Sequence, residues 1–176
     1  YDTFADGDTR SNASVQMFNR VDVWVQTIQK ESTAYAKEKK AHDIICEYVE
    51  YEEGTYDQTA YSAVMQKKTV CAGYAKLYSM LTNAAGLETV SVTSATHGWN
   101  RTKLGNQWYN VDLTWDDGTP ISYQFFNKSD ATMEKYDGSS RESHTQNHYY
   151  DGVAPGCESD YGASVTVVDA EQIHAD

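Results

Sequence analysis

Two prolines, three cysteines and no long apolar run set the first limits on this chain of 176 residues. Thiols at positions 46, 71 and 157 cannot build a disulfide framework, and their odd number leaves at least one cysteine free. No stretch approaches the ~18 consecutive apolar residues of a membrane span. Basic residues are scarce: 14 Lys and Arg stand against 26 Asp and Glu, a net charge of −12. Without a basic stripe to neutralise phosphates, the composition argues against nucleic acid as a partner, and an anionic surface suits anionic membranes poorly. Internal repeats and low-complexity segments are also missing, which argues against a solenoid or a disordered polymer.

What is present points to a globular domain. Hydrophobic residues make up 40% and aromatic residues 12%, enough for one proper core. Residues 15–30 carry Met17, Phe18, Val21, Trp24, Val25 and Ile28 on a helical face, and residues 33–50 do the same with Ala34, Ala41, Ile44, Ile45 and Tyr48. A loop with a short helix follows, then a third helix on which Tyr74, Leu77, Tyr78, Leu81 and Ala84 recur, closed by Gly86. Strands are expected near 87–95, 97–104, 107–115 and 123–127. Helices first and an antiparallel sheet afterwards is the α+β class.

Cys71 falls in the first turn of that third helix, where the partial positive charge of a helix N-terminus favours the reactive thiolate. The Gly105-Asn106 pair between two β-prone runs is a hairpin signal. With those two residues as the loop, Leu104 faces Gln107, position 99 faces 112 and position 97 faces 114. His97 and Asp112 then emerge on one face as diagonal neighbours, about 7–8 Å apart at the backbone and within reach of a side-chain hydrogen bond. Thiol, imidazole and carboxylate are the parts of a nucleophilic acyl-transfer site. The same alternation puts Trp99 on the face of Asp112, as a wall of the substrate cleft, and Trp115 on the other face with Tyr109, Val111 and Leu113.

Three blocks carry a resemblance: Val70-Cys71-Ala72-Gly73-Tyr74-Ala75, His97-Gly98-Trp99-Asn100, and the run from Trp108 through Tyr109, Val111, Asp112, Thr114 and Trp115 to Asp117. In order and in flanking pattern they resemble the signature of the transglutaminase-like superfamily in its bacterial form. Weaker similarity extends the match to about residues 35–135. The resemblance implies a papain-like, transglutaminase-core fold, with N-terminal helices and a nucleophile helix packed on an antiparallel sheet. It implies that Cys71 attacks an amide or thioester carbonyl, that His97 relays the proton, and that Asp112 fixes the imidazole. Hydrolysis is expected ahead of crosslinking, on a peptide or protein substrate, cell-wall protein included, with no cofactor. The backbone N–H of Cys71 is the expected first oxyanion donor, with Gln58 ahead of Tyr61 as the second; some relatives have histidine where Gln58 stands. A catalytically silent module that binds peptide or cell-wall polymer is the alternative.

Plainer readings apply to the remaining signals. Cys46 lies on the apolar side of its helix and reads as a packing residue, the commoner fate of a free cysteine. Cys71, His97 and Asp112 lack the close ligand pairs of structural zinc sites, so no metal is expected. His144 and His148 lie in a polar stretch that reads as a solvated loop, and Asp116-Asp117-Gly118 as a turn, since the spaced ligands of an EF-hand are missing. Ser11-Asn12-Ala13 resembles a protease-cleavage scar, so residues 1–14 are read as a tag or disordered segment, 15–150 as the catalytic domain, and 151–176 as an extension offering an edge strand or a linker. No signal peptide is visible, and an extracellular or cell-wall setting is an expectation from the resemblance alone. Oligomeric state is not legible.

Overall fold

A computed structural model describes residues 6–136, 144–146 and 154–162. Helix α1, Gly7–Ile28, starts where Asp6 accepts the N–H of Thr9 at 2.7 Å, and α2, Ala34–Tyr48, starts where Thr33 accepts that of Ala36 at 3.1 Å. Each cap satisfies a first-turn donor that has no carbonyl in its own helix. Residues 7–14, expected as part of a tag or disordered segment, form the first turns of α1. Two short strands, β1 (Glu50–Tyr51) and β2 (Lys68–Thr69), pair in parallel, and a π-helical turn at Ser62–Gln66 lies between them.

Helix α3, Cys71–Ala84, is the centre of the core. Its Tyr74, Leu77, Tyr78 and Leu81 are buried and pack among Val21 and Ile28 of α1, Ala41 and Ile45 of α2, and Val111, Leu113 and Phe126. Full burial of a side chain of Leu size contributes about 1.5–3 kcal/mol, so this one stripe accounts for much of the driving force. Ala84 is exposed and Ala85 takes the buried position in its place, while Phe18 of α1 is 50% exposed although the periodicity placed it on the apolar face. Gly86, at φ 92°, turns the chain out of α3 in a left-handed conformation that costs glycine little.

The sheet is antiparallel throughout, in the order β3 (Glu88–Thr93), β4 (Gly98–Leu104), β5 (Gln107–Val111), β6 (Phe126–Lys128). Leu104 pairs with Gln107, so the hairpin has the two-residue loop that its Gly-Asn sequence predicts. The strand expected to run to Trp115 ends at Val111; α4 (Leu113–Asp116) follows, capped by the Asp112 carboxylate, which accepts Thr114 N–H at 2.9 Å and Trp115 N–H at 3.3 Å. A side chain that bonds its own downstream backbone competes with the ladder and starts a helical turn instead.

Polar groups tie α4 into the helices. Asp116, fully buried, accepts the N–H of Phe125 at 3.0 Å and bonds His42 Nε2 at 3.2 Å, and Asp117 accepts the hydroxyl of Tyr74. Asp116 and Asp117 thus fasten the turn from within. Burial disfavours a charge on His42, but its bonds to Asp116 and Asp43 outweigh that and hold its pKa well above the ordinary value. Cys46 lies 3.9 Å from the same imidazole and is buried as expected. Residues 154–162 dock on α5 (Asp130–Glu134) and its flank: Cys157 and Asp130 exchange bonds of 2.9 and 3.0 Å, and Tyr161 N–H reaches Asn127 O at 3.0 Å. The start of the expected extension is therefore packed against the sheet domain, and the expected edge strand at 163–168 lies outside the described residues.

Candidate active site

The contacts of α3 fix which end of the sheet meets Cys71. Asn83 Nδ2 donates to Thr89 O at 2.9 Å, the Ser79 and Ser91 hydroxyls meet at 3.0 Å, and Asn100 Nδ2 donates to Ala75 O at 3.0 Å. Following α3 back toward its start therefore follows β3 toward Thr93 and β4 toward Gly98. Cys71 opens the helix at the end of the sheet where His97 precedes β4 and Asp112 follows β5. Cys71 is half-buried, whereas Cys46 and Cys157 are buried. Val70, the cap residue, offers α3 no side-chain acceptor, while its carbonyl accepts the N–H groups of Gly73 at 2.9 Å and Tyr74 at 3.2 Å. The N–H of Cys71, at the first position of the helix, has no carbonyl of its own helix to donate to.

The third position of the helix must be glycine. A Cβ on Gly73 would come 1.7 Å from Thr69 Oγ1 and 2.9 Å from Thr59 O, so the loop before β2 closes directly onto the first turn of α3. Gln58, in that loop, is exposed and its backbone carbonyl accepts Lys76 Nζ at 2.7 Å; Tyr61 is half-buried, edge-on to Tyr56.

His97 and Asp112 meet. Nε2 of His97 lies 2.6 Å from Asp112 Oδ2, with the two side chains 0% and 1% exposed. Ser94 Oγ accepts the His97 N–H at 3.0 Å and His97 O accepts the Ser94 N–H at 2.9 Å, which pins the turn before β4, while Asp112 N–H donates to Phe125 O at 3.0 Å. Burial pushes the Asp112 carboxyl up, but the His97 charge and the hydrogen bonds from His144 and His97 outweigh burial and hold its pKa at about 2. The carboxylate is ionised and can only accept, so His97 donates through Nε2 and presents Nδ1 as its other nitrogen.

His144 is the residue the sequence reading misplaced. Expected in a solvated loop, it is buried, with Nε2 3.0 Å from the same Asp112 Oδ2. Its ring lies 4.6 Å from Trp115, 5.2 Å from Trp99 and 5.4 Å from His97, centroid to centroid. His148 lies outside the described residues. The only sequence hint for His144 was an imidazole in a polar stretch, because a contact made 32 residues downstream has no local periodicity.

Two tryptophans lie beside His97. Trp99, expected in the cleft wall, is 2% exposed; it stacks on His97 at 6.0 Å and donates Nε1–H to Asn110 Oδ1 at 2.8 Å. Trp115, expected on the opposite face, is carried round by α4 to within 6.0 Å of His97 and is half-buried. Among the described residues, His97, Asp112 and His144 bring metal-ligating atoms within 4.8 Å of one another. Their N–O separations of 2.6 and 3.0 Å are hydrogen-bond lengths. Ligand atoms around a tetrahedral zinc, bonded at 2.0–2.1 Å, stand roughly 3.3 Å apart.

Comparison with known proteins agrees with the fold. The chain is similar to a TGase of known crystal structure, with a TM-score of 0.50 and 14% identity over 62% of this chain and 33% of that one. A candidate cysteine protease from Cytophaga hutchinsonii is similar with a TM-score of 0.47 and 20% identity, over 56% of this chain and 38% of that one. The chain thus spans well under half the length of either. No curated protein is significantly similar in sequence. Residues 22–113, more than half of the chain and bounding Cys71, His97 and Asp112, match the profile of one family, and the chain belongs to it: the transglutaminase-like superfamily.

Proposed function

We propose that the chain is a cysteine-dependent acyl-transfer enzyme acting on amide bonds, with water as the acceptor ahead of an amine. The observation that carries this reading is the buried 2.6 Å bond between His97 and Asp112, at the sheet end where α3 opens with the half-buried Cys71. A structural histidine can take a buried carboxylate too, as His42 takes Asp116. What favours catalysis at His97 is that its pair with Asp112, the partner that would hold its tautomer and stabilise its cation, lies at the end of the sheet where a half-buried cysteine opens α3.

In this mechanism Nδ1 of His97 takes the Cys71 proton while Nε2–H stays on Asp112. The thiolate attacks the carbonyl carbon, a C–S bond forms, and the carbonyl oxygen becomes an oxyanion. Backbone N–H of Cys71 is the proposed first oxyanion donor, with Gln58 or Tyr61 of the preceding loop as the second. The imidazolium returns its proton to the leaving nitrogen, the C–N bond breaks, and a thioester remains on Cys71. Water, deprotonated by His97, then releases the acid and the thiol. Peptide or protein, cell-wall protein included, is the proposed substrate and an extracellular or wall setting the proposed location; both rest on family membership.

The test is alkylation of Cys71 by iodoacetamide across pH. Activation shows as reaction well below the ordinary thiol pKa of ~8.5. A profile like that of free cysteine supports the silent binding module instead.

A further inference from the structure

We propose that His144 is a positioning residue for the acyl-transfer site, holding Asp112 so that its carboxylate orients His97; the inference rests on the reaction proposed above. Asp112 Oδ2 takes two imidazole donors, His97 at 2.6 Å and His144 at 3.0 Å, while Oδ1 takes the backbone N–H groups of Thr114 and Trp115. Four donors converge on one buried carboxylate. The two backbone donors fix Oδ1 to α4, but they leave the carboxylate free to rotate about that oxygen. A second donor on Oδ2 removes the rotation, and with it the freedom of the His97 ring.

His144 is itself held on several sides. Trp115, Trp99 and Phe125 surround its ring at centroid distances of 4.6, 5.2 and 6.1 Å. Two residues on, Gln146 Oε1 accepts Arg101 Nη1 at 2.8 Å, and Arg101 also bonds Asn110 Oδ1 at 3.1 Å and Asp130 Oδ1 at 2.9 Å. That buried guanidinium links the His144 segment to β4 and β5, the strands that His97 precedes and Asp112 follows. Nε2 must carry the proton, because the partner oxygen only accepts. Proton relay falls to His97 alone, and His144 keeps its Nε2–H throughout the cycle. The residue lies beyond the span 22–113 that matches the family.

Two replacements separate the hydrogen bond from the packing. His144→Phe keeps a ring in the aromatic cage and removes the donor; His144→Gln supplies an N–H at similar reach. The rate of Cys71 alkylation below the ordinary thiol range is expected to fall by up to about a hundredfold in H144F, the scale of losing orientation at a reacting pair, and to return to within a few fold of wild type in H144Q. Carbon-13 titration of Asp112 in each folded protein follows the bond directly, with its pKa rising in H144F and restored in H144Q. An activated Cys71 that ignores H144F, or an H144Q as slow as H144F, overturns the positioning role and leaves the acyl-transfer reading standing. A wild-type Cys71 that reacts like a free thiol while Asp112 still shifts in H144F overturns both, and reduces His144 to a structural bond.

Discussion

Replacing Asp112 by Asn exchanges one oxygen for NH2 and nothing else, so its consequences follow from the four bonds that the carboxylate accepts. With Oδ1 kept on the N–H groups of Thr114 and Trp115, the new Nδ2 faces the Nε2 atoms of both His97 and His144. Two donors cannot face two donors. Each imidazole must give up its Nε2 proton and carry it on Nδ1, so His97 presents an N–H where it has to accept the thiol proton. Loss of the right tautomer, with the fold kept, costs about 10⁴ in turnover in the worked serine-triad case, and a loss of about 10³–10⁴ is expected here.

Stability moves as well. The Asp112 pKa is about 2 in the folded protein against an ordinary 3.8, a difference on the order of 2 kcal/mol. A depressed folded pKa contributes stability that is present above 3.8 and lost as pH falls through about 2. Asp112→Asn should therefore lower the unfolding free energy at neutral pH by at most that amount and flatten the acid limb. Alkylation of Cys71, mapped by mass spectrometry, and urea unfolding at a series of pH values read the two effects. A D112N protein that alkylates at the wild-type rate below the thiol range would refute the assigned role.

Gly73→Ala brings a Cβ against Thr69 Oγ1 and the Thr59 carbonyl, so the loop before α3 has to shift; thermal unfolding should show a loss of about 1–3 kcal/mol, the usual cost of overpacking, and Cys71 alkylation should slow with it. An unchanged melting temperature contradicts the close approach. Glu38 is fully buried between Tyr78 and Asn127, at 3.3 and 2.7 Å, and burial pushes its carboxyl up to about 7 against those hydrogen bonds. Raised above its ordinary 4.5, Glu38 contributes stability that is complete below 4.5 and lost as pH rises through about 7. Glu38→Gln should be more stable than wild type above that range, by on the order of 3 kcal/mol at most, and this gap should open progressively between the two values. Parallel stability curves for the two proteins would contradict this.

The parts of the site that local pattern encodes were legible in the sequence. Gly105-Asn106 selects a two-residue hairpin, and that register brings His97 to Asp112. Spacing of Tyr74, Leu77, Tyr78 and Leu81 placed the buried stripe of α3, with Cys71 at its first turn. Contacts made over long separations were not legible. Nothing near His144 marks it as a partner of Asp112, and nothing near His42 or Glu38 shows the bonds to Asp116 and Asn127 that let these polar side chains sit inside a core. Alternation also failed at Asp112, where the carboxylate caps α4 and ends the strand; the two-residue period then assigned Trp115 to the wrong side. Trp99 kept its face, but burial makes it the support of His97 instead of an open wall.

The central claim is that Cys71 is a thiolate nucleophile activated by His97. Burial raises the thiol pKa of Cys46 and pushes that of Cys157 up to about 12, so alkylation at lower pH reads Cys71 with little interference. The decisive measurement is the alkylation rate of Cys71 against pH in wild type and in His97→Ala. An activated wild-type thiol should react well below ~8.5, and the variant should react only as its thiol titrates near that value. Coincident profiles, both titrating like free cysteine, would contradict the account.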